Sequence, residues 1–133
     1  LFAKLDGTLL FGLPGRPAAT YIAFQQLVRP VLLQMLSVSQ VFPPETTAVL
    51  SGSVKVKGKL LSFLFGRLIF GPAGLGVESL RVERKGVLTE MLSANCLLQV
   101  PAGRNRLEKG EPVNVQLLDL GLEGLSYFEV PSC

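Results

Sequence analysis

Two short stretches carry residue types arranged for chemistry. The run Gly12-Leu13-Pro14-Gly15-Arg16-Pro17 leads straight into an apolar segment of helical spacing. A Gly-Pro loop opening a helix gathers free backbone N–H groups and the positive end of the helix dipole at one point, which suits an anion, and Arg16 adds a full charge. The same residue types also make an ordinary strand-to-helix turn with Arg16 in solvent. The second stretch, Ser93-Ala94-Asn95, interrupts an apolar run, and its hydroxyl and amide either face a ligand or cap a turn between strands. Seven cations, Lys55, Lys57, Lys59, Arg67, Arg81, Arg84 and Lys85, fall on or between predicted strands, where alternate positions share a face. Phe63, Phe65 and Phe70 read as core rather than as stacking platforms among those cations. The basic stripe therefore reads as a solvated outer face, and a nucleic-acid-binding barrel is the least favoured reading. Glu108, Glu111 and Asp119 lack the spacing of paired acid–base groups and are assigned to the surface.

Composition removes several alternatives. None of the 133 residues is histidine, so the usual neutral-pH base, the usual metal ligand and every imidazole triad are excluded. The cysteines are Cys96 and Cys133, too few and too distant for a zinc cluster, and they read as free thiols in a reducing, cytoplasmic compartment. No catalytic or metal-ligating residue is assigned. A net charge of +3 is a weak signal for an anionic partner. With 48% hydrophobic and 17% charged residues, the chain has the composition of a folded domain. Residues 18–36 approach bilayer length, but Gln25, Gln26, Arg29, Pro30 and Gln34 are costly in hydrocarbon, so a soluble helix is expected and no membrane partner. The N-terminus has no secretory pattern, and Leu1 opens directly into an apolar run as though cut from a longer polypeptide.

The elements that must position these residues follow from periodicity. Segments 2–5 and 8–11 flank Asp6-Gly7 and predict a hairpin. Ile22, Phe24, Leu27, Val28, Val31, Leu32, Met35 and Leu36 recur at helical spacing, with Pro17 suited to a first helical position and Pro30 expected to kink or divide the helix near Arg29. Phe42-Pro43-Pro44 stops the pattern. Beyond it, strands are predicted at 48–56, 60–70, 77–84, 87–92, 96–100 and 113–118, separated by glycine-bearing turns and a loop over 101–110. That spacing predicts a small barrel or sandwich, with Gly66 suited to a bulge or sharp bend. The fold class is thus mainly β, a small barrel preceded by the hairpin and helix.

The order GLPGRP, then a helix ending in LVRPVL, resembles the end of the molybdopterin-binding domain of the molybdopterin molybdenumtransferases, usually GLPGNP followed by a helix with a VRP step. The later segments VKVKGKLLSFLFGRL, MLSANCLLQVP and LEKGEPVNVQLLD are similar to the family's C-terminal barrel. The resemblance covers about residues 8–120 and lies in the combination, since no single piece is diagnostic. It implies that residues 1–41 end an α/β molybdopterin-binding domain, 42–122 form the C-terminal barrel and 123–133 a tail. The implied activity is insertion of molybdate into adenylylated molybdopterin, with Mg2+ whose ligands lie outside this chain. The implied assembly is a homodimer whose cleft joins the catalytic domain of one subunit to the barrel of the other. Carried over to this sequence, the substrate-binding candidates are Gly12, Pro14, Gly15, Arg16, Pro17, Lys59, Arg67, Ser93 and Asn95.

The sequence also departs from the family. Arg16 stands where Asn is usual, Phe65 lies near the place of a barrel arginine that Arg67 replaces only with a local shift, and Arg84-Lys85-Gly86 replaces a Gly-Ser step. The acidic and threonine-bearing segments for metal and molybdate are absent, so the chain alone is not expected to catalyse insertion. The alternative function is a scaffold or interaction module of the same fold that has lost its ligand contacts.

Overall fold

The computed structural model of the chain describes residues 1–80 and 87–118. Strands β1 (Phe2–Leu5) and β2 (Thr8–Phe11) form the expected hairpin, in register from Phe2↔Phe11 to Leu5↔Thr8. Asp6 and Gly7 have φ of 48° and 84°, the left-handed pair that a two-residue hairpin turn requires. The Phe2 and Phe11 rings meet at 5.1 Å between centroids.

The helical segment is divided, as Pro30 demands. Helix α1 (Pro17–Ala23) gives way to a π turn over Phe24–Val28, and α2 (Arg29–Met35) follows with Pro30 in its first turn and buried. A proline ring clashes with the carbonyl four residues earlier and cannot donate to it. Widening the preceding turn, so that the Arg29 N–H donates to the Phe24 carbonyl, relieves the helix without ending it.

Five strands close into a barrel in the order β3 (Glu45–Leu50), β6 (Gly74–Ser79), β5 (Ser62–Gly71), β7 (Cys96–Val100) and β9 (Pro112–Leu117), with β9 returning to β3. The β3–β6 pair is parallel and the others are antiparallel. A separate two-stranded ribbon joins β4 (Val54–Lys55) to β8 (Arg106–Leu107). The core follows the two-residue period of strands: Ala48 and Leu50, Cys96, Leu98 and Val100, Val113 and Val115 are buried in one cluster with Leu68 and Val77. Gly66 joins this interior by having no side chain. A Cβ there would lie 2.3 Å from Leu98 Cδ1, 3.0 Å from Cys96 Sγ and 3.1 Å from Val77 Cγ2.

Residues of opposite parity build a second cluster outside the barrel. Phe65 and Leu97, with Ala94 and Leu118, pack against Ala18, Tyr21 and Ile22 of α1 and against Met91. Tyr21 meets Phe65 at 5.8 Å between ring centroids, and its hydroxyl accepts from the buried Gln25 at 3.1 Å. The π turn then places Gln26 beside β9, where its Nε2 donates to Gln116 Oε1 at 2.5 Å. Gln116 Nε2 in turn donates to Glu45 Oε1 at 2.9 Å, and Gln99 and Asn114 donate to the same carboxylate at 2.6 and 2.9 Å. These amides, Gln116 foremost and then Asn114 and Gln99, hold Glu45 below its ordinary pKa against a smaller opposing effect of desolvation. The helix is therefore held to the barrel by an apolar seam and an amide relay. Phe24, Leu27, Leu32, Met35 and Leu36 remain exposed.

Several expectations are corrected. Segment 87–92, expected as a strand, is the helix α3 (Val87–Ser93); Leu88, Met91 and Leu92 have i, i+3, i+4 spacing rather than alternation. The strand expected over 48–56 breaks at Ser51-Gly52-Ser53, which leave the barrel and start the ribbon. The loop expected over 101–110 contains β8. Gly66 sits in unbroken register with both neighbours, Ser79 and Cys96, so it supplies space rather than a bulge. Phe65 is core and Phe63 partly buried, but Phe70 is exposed. The strand expected at 77–84 is β6 as far as Ser79, and residues from 81 to 86 lie outside the described residues, as do Asp119, Cys133 and the tail.

Two outcomes follow from this packing. Gly66→Ala should destabilise the chain by about 1–3 kcal/mol through overpacking, and Leu98→Ala by about 2–5 kcal/mol through a cavity. Because the added and removed atoms share one space, the double variant should lose clearly less than the sum in urea unfolding; strict additivity would show that they do not meet. For Glu45, a lowered folded pKa means its contribution is present above the ordinary value of 4.5 and is lost as pH falls through the lower folded value. Glu45→Gln should flatten that acid limb of the Tm profile and speed amide exchange in the π turn; an unchanged limb would remove Glu45 from the relay.

Candidate functional site

The loop that opens α1 is set by its own backbone bonds. Arg16 is the residue preceding the helix, extended at φ −85° and ψ 127°, and Pro17 takes the expected first helical position. The Thr20 hydroxyl reaches back to the carbonyls of Pro14 and Arg16, the latter at 2.9 Å. Gly12 donates its N–H to the Leu1 carbonyl at 2.7 Å, so the loop hangs from the hairpin at one end and the helix at the other. Gly12, Pro14, Gly15, Arg16 and Pro17 are all exposed. Arg16 and Pro17 line a cavity of about 1220 Å³ between α1, the ribbon and the barrel wall, whereas Gly12, Pro14 and Gly15 do not.

The barrel candidates do not all reach that cavity. Lys59 borders a second, smaller one of about 590 Å³ with Leu60, Leu61 and Asn105. Arg67, Ser93 and Asn95 come together at a third place, where α3 ends. Arg67 Nε donates to the Ser93 carbonyl at 3.3 Å, and Ser93 Oγ donates to the Glu90 carbonyl at 2.9 Å. Asn95 Oδ1 accepts the Leu68 N–H at 2.7 Å, its own N–H donates to the Gly66 carbonyl at 3.0 Å, and its carbonyl accepts the Leu118 N–H at 2.9 Å. Asn95 thereby joins β5 to the end of β9 just where the β5–β7 pairing stops at Gly66↔Cys96. These contacts are those of the turn-capping alternative that the sequence left open.

Sequence reasoning treated Lys55 and Lys57 as solvated and passed over Arg106, yet all three line the larger cavity beside Arg16, with Phe63 and Phe65 in its wall and Glu78 among its lining residues. The alternation of Lys55 and Lys57 was visible; the pairing that brings Arg106 to them was not, because a two-residue strand leaves no periodic trace. Arg104 pairs with Glu111 at 2.8 Å, and Arg106 with Glu108 at 2.6 Å, whose other oxygen accepts from Ser53 at 2.9 Å. Among the described residues no three carboxylate or thiol groups converge. Cys96 is fully buried, and desolvation pushes its thiol up to about 12, which makes it an inert core residue rather than a nucleophile. Among the described residues no helix is long and apolar enough to cross a membrane.

The chain was compared with known proteins. It is 27% identical over 117 residues to the molybdopterin molybdenumtransferase of Staphylococcus aureus (strain COL), covering 88% of this chain and 28% of that protein. The Staphylococcus epidermidis (strain ATCC 12228) molybdopterin molybdenumtransferase is 25% identical with the same coverage. Among solved structures, the molybdopterin biosynthesis MoeA protein of Pyrococcus horikoshii superposes with a TM-score of 0.68 at 26% identity, over 87% of this chain and 28% of that one. A molybdenum cofactor biosynthesis protein of Pyrococcus furiosus shares the fold at 22% identity, with a TM-score of 0.58 over 78% of this chain and 36% of that one. The chain thus spans somewhat over a quarter of the length of the curated relatives it matches. The family model for the MoeA C-terminal region, domain IV, matches residues 47–118, which include every barrel strand from within β3 to β9, and the chain belongs to that family.

Proposed function

We propose that the chain is the C-terminal part of a molybdopterin molybdenumtransferase, a cytoplasmic enzyme of molybdenum cofactor biosynthesis, and that it helps hold adenylylated molybdopterin while molybdate is inserted. The observation that carries this reading is the exposure of Arg16 on the GLPGRP loop and of Lys55, Lys57 and Arg106 on the barrel side, which supply cations to both halves of a cleft shared between subunits. An adenylylated pterin joins planar rings through phosphates, and such a space offers positive charge with aromatic and aliphatic walls. In this reading the chain's residues bind and orient. The bond-making groups and the Mg2+ ligands belong to upstream segments, and the homodimer that completes the cleft is part of the same proposal. So is the division into residues 1–41, 42–122 and 123–133.

One observation favours the scaffold alternative. Phe65, near the place of the family's barrel arginine, is 3% exposed and packed against Tyr21, so that position supports the helix and offers no charge to a ligand. Calorimetric titration of the full-length parent with adenylylated molybdopterin separates the two. Arg16→Asn should weaken binding by about tenfold, the scale of one charge-assisted contact. Equal affinity would remove the loop from the cleft, and no binding by a well-folded parent would favour the scaffold.

A further inference from the structure

Every barrel strand is paired on both sides, but the seams differ in length. β3 meets β9 from Glu45↔Gln116 to Val49↔Pro112, and meets β6 only at Val49↔Gly76 and Leu50↔Val77. Alternate residues of an antiparallel strand turn their N–H and C=O groups to opposite sides. The Leu50 N–H donates to the Glu111 carbonyl on the β9 side at 2.9 Å, and the Pro44 carbonyl accepts there from Leu117 at 2.9 Å. The Ser51 N–H donates instead to Val77, on the β6 side, at 2.8 Å. Glu45, Thr47 and Val49 therefore direct their main-chain groups toward β6. Because that pairing begins at Val49, those of Glu45 and Thr47 open into a notch beside the β5–β6 hairpin, with no partner among the described residues. Thr47 is exposed, so water satisfies them in the free chain.

Gly76 lies at the mouth of this notch, level with Val49 on one side and Ile69 on the other, which are 47% and 46% exposed. Glycine inside a strand weakens it and marks a bend or a close approach of another backbone. Gly76 has no positive φ, and a Cβ there would make only ordinary contacts, 3.5 Å to Ser51 Oγ and 3.6 and 3.7 Å to the Ile69 and Val49 carbonyl oxygens. Unlike Gly66, it makes room on the outer surface rather than in the core. We propose that the notch docks an extended segment of a partner protein, which adds a short strand along Glu45–Thr47 and seats an aliphatic side chain over Gly76 between Val49 and Ile69. Main-chain bonds hold such a guest and its alternate side chains select it. Residues 68–77 carry no charge, so the guest is apolar on that side, and the Glu45 carboxylate, oriented by three amides, suits a lysine at its other end. Pro44 lacks an N–H and keeps the open stretch short, which limits uncontrolled pairing. The inference stands apart from the substrate reading, since Glu45, Thr47, Val49, Ile69 and Gly76 line neither cavity.

Amide hydrogen exchange of the 133-residue chain is the first test. The Thr47 N–H should exchange about tenfold or more faster than those of Leu50 and Ser51, which are bonded. Equal protection means a closed seam and overturns the notch. A synthetic peptide of alternating valine and threonine with a terminal lysine should then slow Thr47 exchange and raise the Tm with concentration; no protection at large excess overturns the docking site. Thr47→Pro removes only the donor on the notch side, so it should leave the Tm nearly unchanged and abolish the peptide effect, whereas Thr46→Pro, whose N–H faces β9, should lower the Tm sharply. Gly76→Val should keep or raise the Tm while weakening the peptide by about tenfold, as its side chain fills the seat. Peptide binding unchanged in both the Thr47 and Gly76 variants overturns the proposal. Replacing the peptide's lysine by glutamate should weaken it, and equal binding removes Glu45 from the site. Thr47 protection that grows with protein concentration alone, together with a dimer in sedimentation, makes a second copy the guest and overturns the partner assignment.

Discussion

Because β9 returns to hydrogen-bond with β3, the sheet has no free edge in the barrel, and its interior must be filled by whatever five short strands can turn inward. That volume is small. Leu50, Val77, Leu98, Val100 and Val115 occupy it almost without exposure, and room for the Leu98 side chain exists because Gly66 has no Cβ opposite it. Buried Cys96 lies within the same space, which accounts for its inertness. Closure also decides what happens outside: once the inward positions are set, the two-residue period forces Phe65 and Leu97 outward as a pair of large apolar groups that some other element must cover.

The cover is α1, and its attachment explains the location of the main cavity. Tyr21 and Ile22 seal the outer face beside Phe65 and Leu97, while Arg16, one turn earlier, overhangs the space between that face and the ribbon. The amide relay from Gln26 to Glu45 adds direction to a contact that apolar packing alone would leave free to slide. Glu45 is an exposed carboxylate, so its contribution lies in geometry, three amides converging on one group, more than in raw electrostatic energy.

Much of this was legible in the residues, for reasons that can be named. Asp6-Gly7 specified its turn because the left-handed backbone pair has few suppliers, and Pro30 divided the helix because it lacks an N–H. The strands at 96–100 and 113–118 were plain from apolar runs and alternation. What was not legible depended on tertiary neighbours. Segment 87–92 was too short for its helical spacing to stand out beside the strands around it, and Met91 of that helix is what packs on the Phe65 cluster. Gly66 advertised a special position but not whether it bends the strand or makes room inside. At the site, Arg16 and Pro17 were found from local turn chemistry. Arg106 was missed because its partner Lys55 lies 51 positions earlier, as 106 − 55 shows, and no local pattern records that meeting.

The π turn over Phe24–Val28 has a consequence for how the two ends of the helical segment are phased. Along an α-helix each residue advances the side chains by about 100° around the axis. The turn holds a bond from Arg29 back to Phe24, one residue wider than an α-helix uses. Winding those same residues as an ordinary α-helix would rotate Leu32, Met35 and Leu36 by about that angle relative to the docked Tyr21, whereas the wider turn absorbs the extra position. The bearing of the exposed apolar end, as seen from the barrel, is thus set by the width of one backbone turn rather than by any side chain.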